Sequence, residues 1–324
     1  MWQTIHGHDR QIAQLQQAIA QGTLAPTALF AGPPGVGKFR VALTLAQQLF
    51  CQRGRATPPC GVCSSCMRIE HGTHPDVLSL APEPDKTVPD IPIATIRQMQ
   101  SRLLLHPLEG ECRLAIIDSA EAMQPAAANA CLKIFEEPPA AAYFILITSQ
   151  PHRLLPTIRS RAQTITFGPL PQATIRQHLM AEGIDPAEAR QRAGICEGSL
   201  GAALAYPAEA VAETLQDLHQ LLGDRATSQP TEVARRWAAD GTLLPWRLQL
   251  IGLVWRDALG RTVAGVIDTS LAATESLVSR LAGRTARRLS QELVLILAHI
   301  DAQGETPLNK QLSCETLLFR LVEA

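Results

Sequence analysis

The sequence predicts an α/β domain built on a parallel sheet, followed by segments that are helical throughout. Three observations carry this. Short runs such as Arg113-Leu114-Ala115-Ile116-Ile117 and Tyr143-Phe144-Ile145-Leu146-Ile147-Thr148 are apolar on both faces, with helical patterns between them, as strands of a sheet covered on both sides require. One apolar run leads straight into a glycine-rich loop and then a helix. After Gly168-Pro169-Leu170-Pro171 the strand signals stop.

Taken in order, Ile12, Leu15, Ala18 and Ile19 share one face of a helix that starts after Asp9 and stops at Gly22,. The strand Thr27-Ala28-Leu29-Phe30-Ala31 enters Gly32-Pro33-Pro34-Gly35-Val36-Gly37-Lys38-Phe39. Up to Lys38 this follows G-x-x-x-x-G-K-[ST], in which loop N–H groups face a phosphate and the lysine reaches its oxygens. The pattern ends on a hydroxyl that ligates Mg²⁺, a cation that needs oxygen donors. Phe39 offers none. A helix follows from Lys38 to about Phe50, so the loop lies between strand and helix, as the motif demands,.

Further on come a strand at Val77-Leu78-Ser79-Leu80, a proline-rich loop from Pro82 to Pro92, and a helix carrying Ile93, Ile96, Met99, Leu103 and Leu104. The strand at Arg113 ends on the carboxylate of Asp118; Pro125 opens a helix through Phe135, closed by Pro138-Pro139. Strands follow at Tyr143–Thr148 and Thr164–Phe167. Short helices, broken at Gly183, Gly194 and Gly198, lead to Tyr206, and the chain is helical from Pro207 on. Its longest helix, Leu243 to Leu259, is apolar on more than one face, so it should be largely buried, with Trp246 and Trp255 as core residues,. The expected domains are 1–168, 169–207 and 208–324.

Four of the eight cysteines cluster at Cys51, Cys60, Cys63 and Cys66. Four thiolates complete a closed tetrahedral shell, which predicts a structural metal site, with zinc as its occupant. His71 and His74 are close by but not needed. The remaining cysteines, Cys112, Cys131, Cys196 and Cys314, read as small core residues,.

Composition excludes several classes. With 324 residues and 46% hydrophobic content the chain is not disordered, and no apolar run reaches the roughly 18 residues of a membrane span. The first residues lack the features of a signal peptide, so a cytoplasmic protein is expected. A net charge of −1 does not favour a protein that holds nucleic acid alone,. The arginines at 153, 159 and 161, and at 284, 287 and 288, read as solvated faces,. A free-standing zinc-binding nucleic-acid protein is disfavoured, because aromatics are only 4% and form no stacking array,.

The ordered motifs resemble the clamp-loader subunits of bacterial DNA polymerase III in the AAA+ family, most closely their delta-prime branch. The residues that carry this are the loop at 32–39, the cysteine module, Gly72-Thr73-His74-Pro75-Asp76, the phrase Asn129-Ala130-Cys131-Leu132-Lys133-Ile134-Phe135-Glu136-Glu137-Pro138-Pro139, and Ile158-Arg159-Ser160-Arg161-Ala162. The resemblance covers about residues 5–205. It implies an AAA+ domain, a small helical lid and a helical collar that oligomerises into a ring with gamma/tau and delta subunits. Such a ring opens a sliding clamp and places it on primed DNA, with no role for a membrane.

Measured against that family, three positions depart from an active ATPase. Phe39 replaces the Mg²⁺ hydroxyl, Ser119 follows Asp118 where a water-orienting glutamate belongs, and Gly201 stands where the lid motif has a γ-phosphate-sensing arginine. Glu121, on a helical turn, would point elsewhere. The resemblance therefore implies a subunit without ATPase activity of its own, within the polymerase holoenzyme; the alternative is a hydrolysing gamma/tau-like subunit. The surviving Gly32, Gly35, Gly37 and Lys38 leave two readings, weak nucleotide binding without turnover or service to the turn and its packing. In the family the arginine of the Ser160-Arg161 pair reaches a neighbour's ATP as an arginine finger, a device worth about 10³–10⁵ in rate. Arg159 is the decoy, able to share a face with Arg161 if the segment is extended.

Overall fold

The runs apolar on both faces become β1 (Thr27–Ala31), β3 (Arg113–Ile117) and β4 (Ala142–Thr148), and the more polar β2 (Val77–Leu80) and β5 (Gln163–Thr166) flank them. They form one sheet of order β2-β3-β4-β1-β5, parallel at every pairing. The computed structural model describes residues 2–82, 90–223, 229–265, 272–302 and 309–322. Most of the expected proline-rich loop, at 83–89, lies outside them. Backbone contacts divide the chain into two compact units, Met1–Glu182 with Glu197–Ala202, and Gly183–Cys196 with Ala203–Ala324.

In the first unit, alternate residues of each strand feed two cores. Ala28, Phe30, Leu114, Ile116, Ile145 and Ile147 face one layer, with side chains of α1 (Asp9–Ala20) and α2 (Lys38–Phe50). Leu29, Ala31, Ala115, Ile117, Phe144 and Leu146 face the other, with α4 (Ile93–Leu103) and α5 (Pro125–Glu136). Each fully buried Leu, Ile or Phe among them contributes about 1.5–3 kcal/mol, so both layers hold the sheet. The short α3 (Ser64–Glu70) packs on α2. After β4 come α6 (Pro156–Arg159), β5 and α7 (Gln172–Ala181).

In the second unit, α8 (Pro186–Ile195) starts at a side-chain cap, Asp185 accepting from the Ala187 and Glu188 amides. The segment Leu200–Leu204 forms α9, across the division between units. The remaining helices are α10 (Ala208–Leu221), α11 (Pro230–Ala239), α12 (Leu244–Ala264), α13 (Glu275–Leu281), α14 (Ala286–Ala302) and α15 (Lys310–Val322). The long helix is buried as its pattern predicts, packing on α10, α13 and α14. Trp255 is fully buried and its Nε1 donates to Glu292 at 2.7 Å. Trp246 differs from expectation: it is half-buried, edge-on to Tyr206. Glu292 also accepts from Arg284 at 2.8 Å and Arg288 at 3.0 Å. Two arginines of the expected solvated stretch thus serve the interior.

Candidate functional site

The glycine loop follows β1, which lies between β4 and β5, at the carboxyl edge of the sheet where open α/β folds bind ligands,. Lys38 opens α2, yet it turns back on its own loop. Its Nζ donates to the carbonyl oxygens of Gly32 at 2.7 Å and Pro33 at 2.6 Å. Burial pushes this amine below its ordinary value, against the opposing pull of the Glu121 and Asp118 carboxylates. Burial likewise raises the Asp118 carboxyl, opposed by the Ser119 amide, which donates to it at 2.9 Å, and by Lys38. Phe39, on the next position of α2, is partly exposed.

Glu121 corrects one expectation. The helical turn does form, over Ala120–Ala122, but it does not send the side chain away. Its Oε1 accepts from the Ser149 amide at 3.1 Å and hydroxyl at 2.8 Å, just after β4. Glu121 is also the first of the two carboxylates that oppose the fall of the Lys38 value. A residue set aside on local geometry therefore belongs to this edge.

The segment 197–202 closes on the loop. The Gly201 amide donates to the Gly35 carbonyl at 2.8 Å. Gly35 sits at φ 69°, where glycine is favoured, and a Cβ on it would lie 2.2 Å from Ser199 Oγ. A Cβ on Gly201 would come within 3.1 Å of Gly35 Cα. From the other direction His8 Nε2 lies 2.9 Å from the Val36 carbonyl oxygen.

Arg161 occupies a different place. The short helix α6 is followed by a turn in which the Arg161 amide donates to Ile158 O at 3.1 Å. The guanidinium forms an ion pair with Glu136, the last residue of α5. Its Nη1 also donates to Thr157 O at 2.9 Å. Arg161 and Glu136 line a cleft of about 360 Å³ with Thr27 and Gln163, where β1 and β5 begin. Arg159 instead lines a cleft of about 480 Å³ with Gly32, Pro33 and Ser149, where β1 and β4 end. Because the segment is helical and then turns, the two arginines serve opposite ends of the strands and share no face. Glu136 ends the Asn129–Glu136 stretch of its phrase, and its partner Arg161 is distant in sequence.

The four module cysteines meet as expected. Their Sγ atoms all lie within 4.8 Å of one another, and they are free thiols. The Cys63 amide donates to Cys60 Sγ at 3.3 Å. Amides of Val62 and Cys63 draw the Cys60 thiol down to about 6. Burial pushes the Cys66 thiol up. Close sulfurs with amide donors suit a thiolate-bound metal, so this donor set fits the expected zinc. Neither His71 nor His74 belongs to the cluster: His71 Nδ1 lies against Met67 O, and buried His74 packs at a tilt against the Phe50 ring. Cys112, Cys131, Cys196 and Cys314 are buried as expected.

Asp76, in the Gly72–Asp76 phrase, is a fully buried carboxylate that accepts from the amides of Leu108, Glu109 and Gly110 at 2.8 to 3.1 Å. Burial alone would raise its carboxyl. Those three amides, with Arg113 3.6 Å away, more than reverse this and hold it below the ordinary value. Arg68 of α3 pairs with Glu109 of the same loop, joining it to the cysteine module.

The sequence profile of the family described as DNA polymerase III, delta subunit, matches residues 7–171. The chain is 31% identical over 293 residues to DNA polymerase III subunit delta' of Escherichia coli (strain K12), covering 89% of this chain and 86% of that protein. It is 39% identical over 181 residues to DNA polymerase III subunit delta' of Bacillus subtilis (strain 168), covering 56% of this chain and 54% of that protein, so this match spans about half the relative's length. To DNA polymerase III subunit gamma/tau of Mycobacterium tuberculosis (strain ATCC 25618 / H37Rv) it is 37% identical over 175 residues, covering 53% of this chain and 29% of that protein.

Proposed function

The chain belongs to the family of the DNA polymerase III delta-prime clamp-loader subunit, and we propose that it is the member of the loader ring that does not hydrolyse ATP but completes a neighbour's site. One observation carries this reading: Lys38, the lysine that would meet a nucleotide's phosphates, is bonded to the carbonyls of its own loop. The lysine and glycines then serve the turn and its packing. Phe39, Ser119 and Gly201 support the same conclusion, because each lacks the group that hydrolysis needs at its position. They weigh against a hydrolysing gamma/tau-like subunit.

In this proposal Arg161 is the arginine finger. The exposed position of its partly solvated side chain, beside an open cleft, supports a reach toward a neighbouring gamma/tau subunit. A guanidinium carries fixed charge and forked donors suited to phosphoryl oxygens, so it stabilises charge on the transferring group without any turnover in its own subunit. The further partners are the delta subunit and, through the complex, the sliding clamp and primed DNA. The segments 1–168, 169–207 and 208–324 act as AAA+ domain, lid and oligomerising collar in the cytoplasm. The Cys51, Cys60, Cys63 and Cys66 module holds a structural zinc. No helix among the described residues is long and apolar enough to cross a membrane.

The test is an ATPase assay on the purified chain, alone and then assembled with gamma/tau and delta. The expected result is no magnesium-dependent turnover alone. In an intact assembled loader, Arg161→Ala should lower the DNA- and clamp-stimulated rate by at least about tenfold, a floor well below the roughly 10³–10⁵ that such a finger contributes at a single site. Robust turnover by the chain alone, or an unchanged rate in the variant loader, overturns the reading.

A further inference from the structure

We infer that Glu136 is a positioning residue that parks Arg161 against its own subunit until a phosphate competes for it. The inference rests on the arginine-finger reading of Arg161 and adds a partner to it. Arg161 does not stand free: Nη2 pairs with the Glu136 carboxylate, and Nη1 donates to Thr157 O at 2.9 Å and faces Ser160 Oγ at 3.5 Å. To meet a phosphoryl oxygen across a subunit boundary, the guanidinium must give up the carboxylate.

Strength decides whether that exchange is feasible. The side chains of Arg161 and Glu136 are 33% and 47% exposed, so water and salt screen the pair. Exposed pairs of this kind contribute at most about 1 kcal/mol. A phosphate offers the same planar fork more charge and more acceptor oxygens, so it can displace Glu136, while the carboxylate suffices to hold the arginine when none is present. The location of Glu136 agrees with such a role. A carboxylate on the last residue of a helix opposes the helix dipole,, and Arg161 adds a paired counter-charge to that of Lys133 in the last turn. The exchange is purely electrostatic; no bond to carbon, oxygen or phosphorus is made or broken by Glu136.

The experiment uses the loader assembled from this chain with gamma/tau and delta, and compares wild type, Glu136→Gln, Glu137→Gln, Arg161→Ala and the Glu136→Gln/Arg161→Ala double variant. Glutamine keeps the shape and removes the charge. The expected result is an ATPase rate without DNA raised roughly two- to fivefold by Glu136→Gln, the range that an exposed pair supports, with little change in the DNA-stimulated rate. The double variant should match Arg161→Ala, which shows that Glu136 acts through the arginine. A merely structural role would lower the rate rather than raise it. An unchanged or lowered rate in Glu136→Gln, or an equal rise in Glu137→Gln, overturns the inference while Arg161→Ala remains defective. If Arg161→Ala itself has no effect, the finger reading fails instead.

Discussion

The amide of Gly201 donates to the carbonyl oxygen of Gly35 across 2.8 Å, so the lid-motif position that would carry an arginine lies directly on the phosphate loop. A side chain at 201 cannot enter without disturbing this contact, because even a Cβ there would come within 3.1 Å of Gly35 Cα. Gly201→Arg is therefore expected to loosen the 197–202 segment and lower thermal stability, without creating ATPase activity, since Phe39 and Ser119 remain. Thermal melts with a parallel turnover assay check this. A gain of magnesium-dependent turnover from this one change would contradict the picture.

Lys38 makes a second prediction of the same kind. Replacing it with methionine leaves the carbonyls of Gly32 and Pro33 without their charged donor. Hydrogen bonds to charged groups are worth about 1.5–3 kcal/mol each, and the neighbouring Asp118 and Glu121 lose a counter-charge. Lys38→Met should lower unfolding stability by about 2 kcal/mol and leave the stimulated ATPase of an assembled loader intact. Urea unfolding and the assembled assay together discriminate this from a nucleotide-binding lysine, whose loss would spare stability and abolish a site.

For the cysteine module, elemental analysis of protein purified without chelator should return about one zinc per chain. Strong chelation, or Cys63→Ser, should lower the melting temperature by about 2–8 °C, the shift that a loss of one to two kcal/mol produces in a unit of this size. Both sheet layers keep their cores, so hydrogen exchange should rise first in 51–66. Native protein without bound metal would defeat the zinc assignment.

Asp76 links stability to acid. Its folded carboxyl lies below the ordinary value. The stabilisation is therefore fully present above the unfolded value near about pH 4, and it is lost as pH falls through the depressed folded value. Asp76→Asn leaves Arg113 facing a neutral group and should cost about 3 kcal/mol at pH 7. Below about pH 4 the wild-type and variant curves should begin to converge. Urea melts from pH 3 to pH 7 measure this, and parallel curves would count against it.

What the sequence made legible was whatever is encoded locally. The strands at Thr27–Ala31 and Val77–Leu80 follow from short, mostly apolar runs, and α2 follows from its loop; each forms over the expected residues. The cysteine cluster was legible because its ligands lie close in sequence. Pairings across distant segments were not. Nothing in the phrase around Glu136 names Arg161, and Gly201 gives no sign of Gly35. Glu121 was misjudged because local geometry places a side chain on a turn without saying what the turn faces, here Ser149. Asp76 was visible within a phrase, but its three amide donors come from another loop.

The inward seat of Lys38 also bears on how this fold is maintained in a cell. An ordinary nucleotide-binding domain gains stability by mass action, roughly RT ln(1 + [L]/Kd), so its folded population follows the supply of its ligand. In the proposed reading the loop is held instead by an ammonium group that is covalently part of the chain, at a concentration that never changes. On that reading energy starvation removes nothing from the folded state of this subunit, and the small ligand to which its folding is linked by mass action is the proposed zinc of the cysteine module.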